Sequence, residues 1–353
     1  MKILIAIDHF RAGGAERVAS VLINQLCKEH EVHVVIMEEG INYPLDFEHI
    51  KIHLVDYKKG NKLIKVWSKL NNLRKIVREV NADVVYSFAN FMSIYVAASL
   101  TGNNRRKVRL ISSERTDPTR EPTGYIARLL RNWAYSQSDF LVCQTPWVAD
   151  YFKKKIKSQC VVIPNPITPN LPVWQGQNSN IIMTACRLEE QKNLPMLLNA
   201  FIRLHALYPN YKLIIYGEGL LRPQLETFII DNQLQDYVEL PGFNKDIHQA
   251  MVHSYMYVSS SDYEGISNSM LEALGIGIPT ICTDCPVGGA RMFINSSENG
   301  LLVPVGDDKA LFQAMKRIIK DREFAIKCSQ RSQMINEQIK ASKIVEQWVK
   351  LIK

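Results

Sequence analysis

Short apolar runs alternate along this chain with longer stretches whose apolar positions recur every three or four residues. ILIAID (3–8), VHVVIM (32–37), IKIHLV (50–55), ADVVYSF (82–88), VRLISSE (108–114), FLVCQT (140–145) and CVVIPNP (160–166) read as buried parallel strands. Val18, Val21, Leu22 and Leu26 predict a helix after the first run. Residues 61–80 predict an amphipathic helix with a stripe of Leu63, Ile64, Trp67, Leu70, Leu73, Ile76, Val77 and Val80 and a basic remainder that includes Lys62. PNPITPNLPVWQGQNS (164–179) holds four prolines and no charge, the composition of a linker. The pattern then restarts at 180–187, 212–219, 237–243, 255–261, 279–284 and 300–305, and the chain after 307 reads as helix. The expected organisation is a β-α-β domain over 1–164, a linker over 165–179 and a second domain over 180–353.

A length of 353 residues agrees with two domains, and 46% hydrophobic with 22% charged content is that of a globular protein. No apolar run approaches the roughly 20 residues that span a bilayer, and the N-terminal run is too short for a signal-peptide core. The expected location is cytoplasmic, with the seven cysteines reduced, and Cys282–Cys285 lacks the second ligand pair of a zinc site. The net charge of +8 is uneven: residues 1–165 carry 25 Lys+Arg against 16 Asp+Glu, leaving 18 against 19 for the rest. A basic first half suits an anionic partner, and without a nucleic-acid motif the expected partner is a membrane surface, touched peripherally. The 61–80 stripe is read as core-facing, with membrane docking as its alternative.

Candidate chemistry gathers where strands give way to helices. Gly13 and Gly14 allow close backbone approach before a helix N-terminus, and the motif is not the dinucleotide fingerprint. Arg187 and Lys192 flank a second strand-to-helix turn, an arrangement suited to a diphosphate. Gly217-Glu218-Gly219 forms another close-approach loop. In SSSDYEGISNSMLEALG, Glu264 precedes a helix and Glu272 lies on it; alone, they could equally be a strand-end residue and a solvated helix residue. SSERTDP brings Glu114, Arg115 and Asp117 to a strand's C-terminal end, as a ligand contact or as a salt-bridge cluster.

GGAER (13–17), VIPNP (162–166), Arg187-Leu188 with Lys192, GEG (217–219), LPGF (240–243), YEG (263–265), the Glu264/Glu272 pair, CPVGGAR (285–291) and NGLLVP (299–304) together resemble the retaining glycosyltransferases of family 4. The resemblance implies the GT-B fold: α/β, two Rossmann-like α/β/α domains facing across a cleft, with the C-terminal helix packing back towards the first domain. It implies transfer of a hexose or N-acetylhexosamine from a nucleotide sugar, expected to be UDP-linked, to a glycan or polyprenyl-diphosphate-linked acceptor in surface-polysaccharide assembly. Arg187, Lys192, Glu264 and Arg115 would carry catalysis. Gly13, Gly14, Gly217, Glu218, Phe243, Gly265, Ile266, Ser267, Asn268 and Glu272 would hold the donor. His9 and Glu114 are acceptor-side candidates, Arg115 standing where many relatives place a histidine. Neither metal nor other cofactor is expected. A same-fold epimerase or hydrolase, or a non-catalytic nucleotide-sugar sensor, is the alternative.

Overall fold

The computed structural model describes residues 1–352 other than 12, 42, 58–59, 102–107 and 177–178; the side chains of Lys62 and Lys154 are also outside the description. Two compact units result, Met1–Pro166 with Ala341–Lys353, and Ile167–Lys340.

In the first unit the elements run β1 (Lys2–Ile7), α1 (Gly14–Leu26), β2 (Glu31–Ile36), β3 (Ile50–Leu54), α2 (Lys62–Val80), β4 (Val84–Phe88), α3 (Asn90–Ser99), β5 (Arg109–Glu114), α4 (Tyr125–Ser136), β6 (Phe140–Cys143), α5 (Pro146–Tyr151), α6 (Lys154–Gln159) and β7 (Cys160–Val162). All pairings are parallel, in the order β3-β2-β1-β4-β5-β6-β7, so the direction of winding reverses between β1 and β4. The near-continuous burial of β1, β2, β4 and β5 explains their unbroken apolar runs. Leu4, Val35, Leu73, Val77, Val85 and Leu110 meet in one core layer.

In the second unit the order is β8 (Ile181–Ala185), a 3-10 turn (Glu190–Lys192), α7 (Leu194–His205), β9 (Lys212–Tyr216), α8 (Arg222–Asp231), β10 (Val238–Gly242), α9 (Ile247–Val252), β11 (Met256–Ser259), α10 (Asn268–Ile276), β12 (Thr280–Thr283), β13 (Leu301–Val303), α11 (Asp308–Lys320), α12 (Arg322–Ser332) and α13 (Ile335–Gln338). Its parallel sheet runs β10-β9-β8-β11-β12-β13, reversing between β8 and β11. Open parallel sheets take ligands at such reversals, beyond the strand C-termini.

Three details differ from the sequence reading. The expected linker is packed chain: Ile167 and Trp174 are buried, Ile167 N donates to Ile339 O at 3.0 Å, and Trp174 Nε1 donates to Ser254 O at 2.9 Å. Burying two large apolar groups outweighs the flexibility that the prolines suggested. The last helix, α14 (Ala341–Lys350), belongs to the first unit, in line with the expected return of the C-terminal helix, so only the bound of the domain expected over 180–353 shifts. Its Trp348 is fully buried, 5.5 Å from the Phe88 ring, and its carbonyl accepts from Tyr86 Oη. Finally, the 61–80 stripe divides. Leu73, Val77 and Val80 are buried, whereas Leu63, Ile64, Val66 and Trp67 stand in water.

Candidate active site

In the second unit, the turn after β8 and the loop after β9 meet backbone to backbone. Cys186 N donates to Tyr216 O at 3.0 Å, Leu188 N to Glu218 O at 2.9 Å, and Leu221 N to Leu188 O at 3.0 Å. A β-carbon on Gly217 would fall 1.9 Å from Cys186 O, at a φ of +129° that L residues rarely adopt, and one on Gly219 would fall 2.4 Å from Leu188 O. The close approach that these glycines permit is thus to another loop, and it fixes the backbone on both sides of Arg187. The Glu218 carboxylate turns to Arg222, at 2.7 and 2.8 Å, and Phe243 stands 69% exposed just beyond β10.

Arg187 is 62% exposed in its side chain and meets Glu189 Oε1 at 2.9 Å. Lys192, nearly buried, forms an ion pair with Glu264 Oε2, which also accepts from Ser261 Oγ at 3.3 Å. Burial works against the Lys192 ammonium, but the Glu264 charge overcomes it and raises the amine above its ordinary range.

Polar ties hold this pair in place. Gln191 Nε2 donates to Tyr263 O (2.8 Å), Asn193 Nδ2 to Asp262 Oδ1 (2.6 Å), Ser260 Oγ to Lys192 O (2.8 Å) and Thr283 Oγ1 to Ser261 O (2.6 Å). Cys285, one of the buried CxxC thiols, also reaches Ser261 O, at 3.2 Å. The sequence reading missed Gln191, Asn193, Ser260 and Asp262. Asn193 carried a signal, being a capping residue type just ahead of a proline in the helix's first turn.

Helix α10 starts at the end of the Glu264 loop. Ser267 caps it, its Oγ accepting from Met270 N, and Ile266 is buried beneath. Gly265 is pressed from behind, since a β-carbon on Gly289 would lie 1.6 Å from its carbonyl oxygen. Asn268 opens the helix, so this stretch directs its N-terminal dipole past Gly265. One turn on, Glu272 is buried, accepting from Thr168 Oγ1 at 2.8 Å with His248 Nε2 3.2 Å from its other oxygen. Neither Thr168 nor His248 was visible as a site residue, because their tie to Glu272 closes long loops.

The first unit holds the remaining candidates around the ends of β1 and β5. Gly13 caps α1, and Tyr43 Oη both donates to its carbonyl (2.7 Å) and accepts from its N–H (3.2 Å). Gly14 is the first residue of that helix. Glu16 folds back over this loop, so that a β-carbon on Gly13 would lie 2.1 Å from Glu16 Oε2, and its other oxygen is 3.3 Å from His9 Nδ1. At the neighbouring strand end, β4, Ala89 has φ +69°, a strained conformation for a residue with a β-carbon.

Glu114 and Arg115 are buried side by side. Glu114 accepts from Arg115 N (3.0 Å), Thr116 N (3.2 Å), Thr116 Oγ1 (3.0 Å) and Tyr135 Oη (3.1 Å). Burial outweighs the Arg131 charge and these bonds, and it holds the carboxyl above its usual range. Arg115 donates through Nη2 to Asn165 Oδ1, itself bonded to Gln144 (2.8 Å), while its Nε and Nη1 are buried without a hydrogen bond among the described residues. Burial pulls the guanidinium down to about 10, which leaves it charged at neutral pH, with Glu114 and Glu16 opposing the shift. Asp117 caps the following turn, accepting from Thr119 N (2.8 Å) and Thr119 Oγ1 (2.6 Å).

A cavity of about 840 Å³ lies elsewhere, at the opposite, N-terminal ends of the strands, lined by Asp83, Arg109, Asp139 and Lys155. Among the described residues no group of three His, Cys, Asp or Glu is placed to hold a metal ion.

The family model "Glycosyltransferase Family 4" matches residues 12–171, and "Glycosyl transferases group 1" matches 174–337. The chain is 27% identical over 343 residues (91% of this chain, 90% of the relative) to N-acetylgalactosamine-N,N'-diacetylbacillosaminyl-diphospho-undecaprenol 4-alpha-N-acetylgalactosaminyltransferase of Campylobacter jejuni. It is 28% identical over 360 residues (100% and 98%) to a second alpha-1,4-N-acetyl-D-galactosaminyltransferase of that organism, whose name also gives a diphospho-undecaprenol-linked glycan. Among solved structures, HepE of Anabaena in complex with UDP-glucose superposes with a TM-score of 0.86 at 17% identity, over 99% of this chain and 98% of that one.

Proposed function

The chain belongs to glycosyltransferase family 4 and has the GT-B fold; from that premise we propose that it transfers a hexose or N-acetylhexosamine from a UDP sugar to a polyprenyl-diphosphate-linked glycan, with retention at the anomeric carbon. The observation that carries this reading is the second-unit cluster. An exposed, exchangeable Arg187 stands in the turn that ends in Lys192, which is paired with Glu264, and Gly265 leads into the α10 N-terminus. These are groups for a diphosphate and the sugar attached to it. The two Campylobacter relatives support the lipid-linked acceptor, since their names specify one.

In this reading Arg187 exchanges Glu189 for the diphosphate, Lys192 neutralises the leaving nucleoside diphosphate, and Glu264 orients the sugar beside it. Gly265, Ile266, Ser267 and Asn268 present backbone amides, and Glu272 takes the ribose hydroxyls. The bond from the anomeric carbon to the diphosphate oxygen breaks, and the acceptor oxygen bonds to that carbon on the same face. Its proton passes to the departing phosphate oxygen. The cations and the helix dipole supply the charge stabilisation, so we propose transfer without a metal. Arg115 and His9 would serve the acceptor side. The acceptor's lipid would bring the protein to an anionic membrane surface as a peripheral protein.

The test is release of nucleoside diphosphate from a panel of nucleotide sugars, with and without lipid-linked acceptors and with and without chelator, followed by anomeric analysis of the product. Release that depends on acceptor, ignores the chelator and yields a retained anomer is expected. Release independent of every acceptor would replace transfer by hydrolysis or epimerisation.

A further inference from the structure

Many of the exposed apolar side chains of the first unit lie on three of its helices. Helices α2, α3 and α4 pack against one another in sequence, and α3 and α4 each lead to the next parallel strand in the same direction, as α2 leads on to β4. With right-handed crossovers they cover one face, and each begins at the edge where the strands end. The first turns of α2 expose Leu63, to 79%, and Trp67; the second residue of α3 exposes Phe91.

Helix α4 buries a charge beside Ala134 and Tyr135 while it exposes apolar side chains. Its buried face carries Arg131, fully enclosed, which donates to Pro118 O (2.8 Å), Glu121 O (2.7 Å) and Tyr151 Oη (3.1 Å). Its outer face carries Tyr125, Ile126, Leu129, Leu130 and Trp133, with Ile126 72% exposed. Positions separated by three and four residues lie one above another on a helix, so these form a stripe rather than isolated residues. An apolar helical stripe in water marks an interaction surface.

The charge around it selects the occupant. Residues 61–78 contain six Lys or Arg and no acid, and residues 153–157 four lysines and no acid. α6, which carries most of the second group, packs against α4, and Lys153, Lys155 and Lys157 are exposed there, Lys157 sharing its charge with Asp150 at 3.0 Å. Lys69 extends over the Tyr57 ring at 4.6 Å. Apolar and aromatic side chains bordered by lysines fit the interface of an anionic bilayer, where rings settle at headgroup level and two weak attachments act together.

We propose that the outer face of α4, with Phe91 and the start of α2, inserts into the interfacial layer of an anionic bilayer while the lysines of α2 and α6 meet its headgroups. This deepens the proposed function and rests on it for the lipid-linked acceptor. It places the bilayer along the outer helical layer of the first unit, which runs from the strand-end edge at the start of α2 and α3 to the opposite edge at α6. Docking is thereby assigned to apolar insertion, to which charge adds.

The experiment is flotation of the full chain with vesicles of phosphatidylcholine alone and of phosphatidylcholine mixed with phosphatidylglycerol. It is run for the wild type and for the Ile126→Ser, Leu129→Ser, Leu130→Ser triple variant, with nucleoside diphosphate release from the preferred UDP sugar measured on the same preparations. The wild type is expected to float with the mixed vesicles and to keep part of that binding in high salt. The triple variant should lose roughly tenfold or more of its partitioning, with unchanged release towards a water-soluble acceptor and unchanged melting. Equal flotation of variant and wild type, or complete release of both by salt, would overturn insertion. So would a wild type that dimerises without floating and a variant that is monomeric, since a second copy would then cover the face. Absent turnover with the flotation difference intact would remove the proposed function and leave the docking surface standing.

Discussion

The two units hold their arginines in opposite ways. Arg187 is mostly exposed, with one exposed carboxylate partner, and its position is imposed by backbone hydrogen bonds between loops. Arg115 is buried, bonded to Asn165 and adjacent to buried Glu114, with two nitrogens making no hydrogen bond among the described residues. The exposed ion pair contributes little to stability and is open to exchange for a ligand anion. The buried cation is part of the packing, and removing it leaves uncompensated neighbours. A cation's surroundings therefore separate a charge that is open to exchange from one that the packing holds in place.

Arg187→Ala should break that comparison if it is wrong. Turnover is expected to fall by about 10²–10³-fold, with an unfolding free energy within ~0.5 kcal/mol of wild type, checked by steady-state rates and urea melts. Near-normal turnover would remove Arg187 from the chemistry. Gly217→Ala tests the loop scaffold: the clash with Cys186 O and the positive φ should cost roughly 3 kcal/mol or more in the same melts. Arg115→Ala should lower stability by roughly 3–5 kcal/mol, the contrast with Arg187; a loss of rate with unchanged stability would make the two arginines alike.

Thr168→Val sharpens the picture within the second unit. Loss of its hydrogen bond to Glu272 should raise the donor KM by up to about tenfold, the worth of one such bond, and leave kcat nearly unchanged. The smallest effect is expected from Glu114→Gln. The raised carboxyl pKa means that the folded protein keeps a proton which the unfolded chain has lost. This stabilisation is full below the unfolded value and is lost as pH rises through the folded one. Wild-type stability should thus decline with rising pH in the interval above 4.5, and the Gln variant should lack that component in melts taken across it.

Much of the architecture was legible because parallel strands buried on both faces write continuous apolar runs, and because glycines and prolines mark the turns between them. The positions of Arg187, Lys192 and Glu264 beyond strand ends followed from the same signals. Which face of a helix turns inward did not follow. Nothing in the sequence of α4 marks Arg131 for burial: it is drawn inside by carbonyl oxygens of the Pro118–Glu121 turn that the fold brings near. His248 and Thr168 escaped for a related reason, since each reaches Glu272 across a long stretch of chain with no local pattern to announce it.

The return of α14 to the first unit has a consequence for synthesis. Trp348 closes over Tyr86 and Phe88, and Leu351 O accepts from Arg109 at 3.2 Å, so residues that follow the second unit in sequence complete a core whose other members precede it. Domains ordinarily fold in the order in which the ribosome delivers them. Here the second unit has its whole sequence first, while the earlier-made sheet waits with those aromatic rings uncovered until residues 341–352 emerge. A premature stop that spares every second-unit residue would therefore damage the unit translated first.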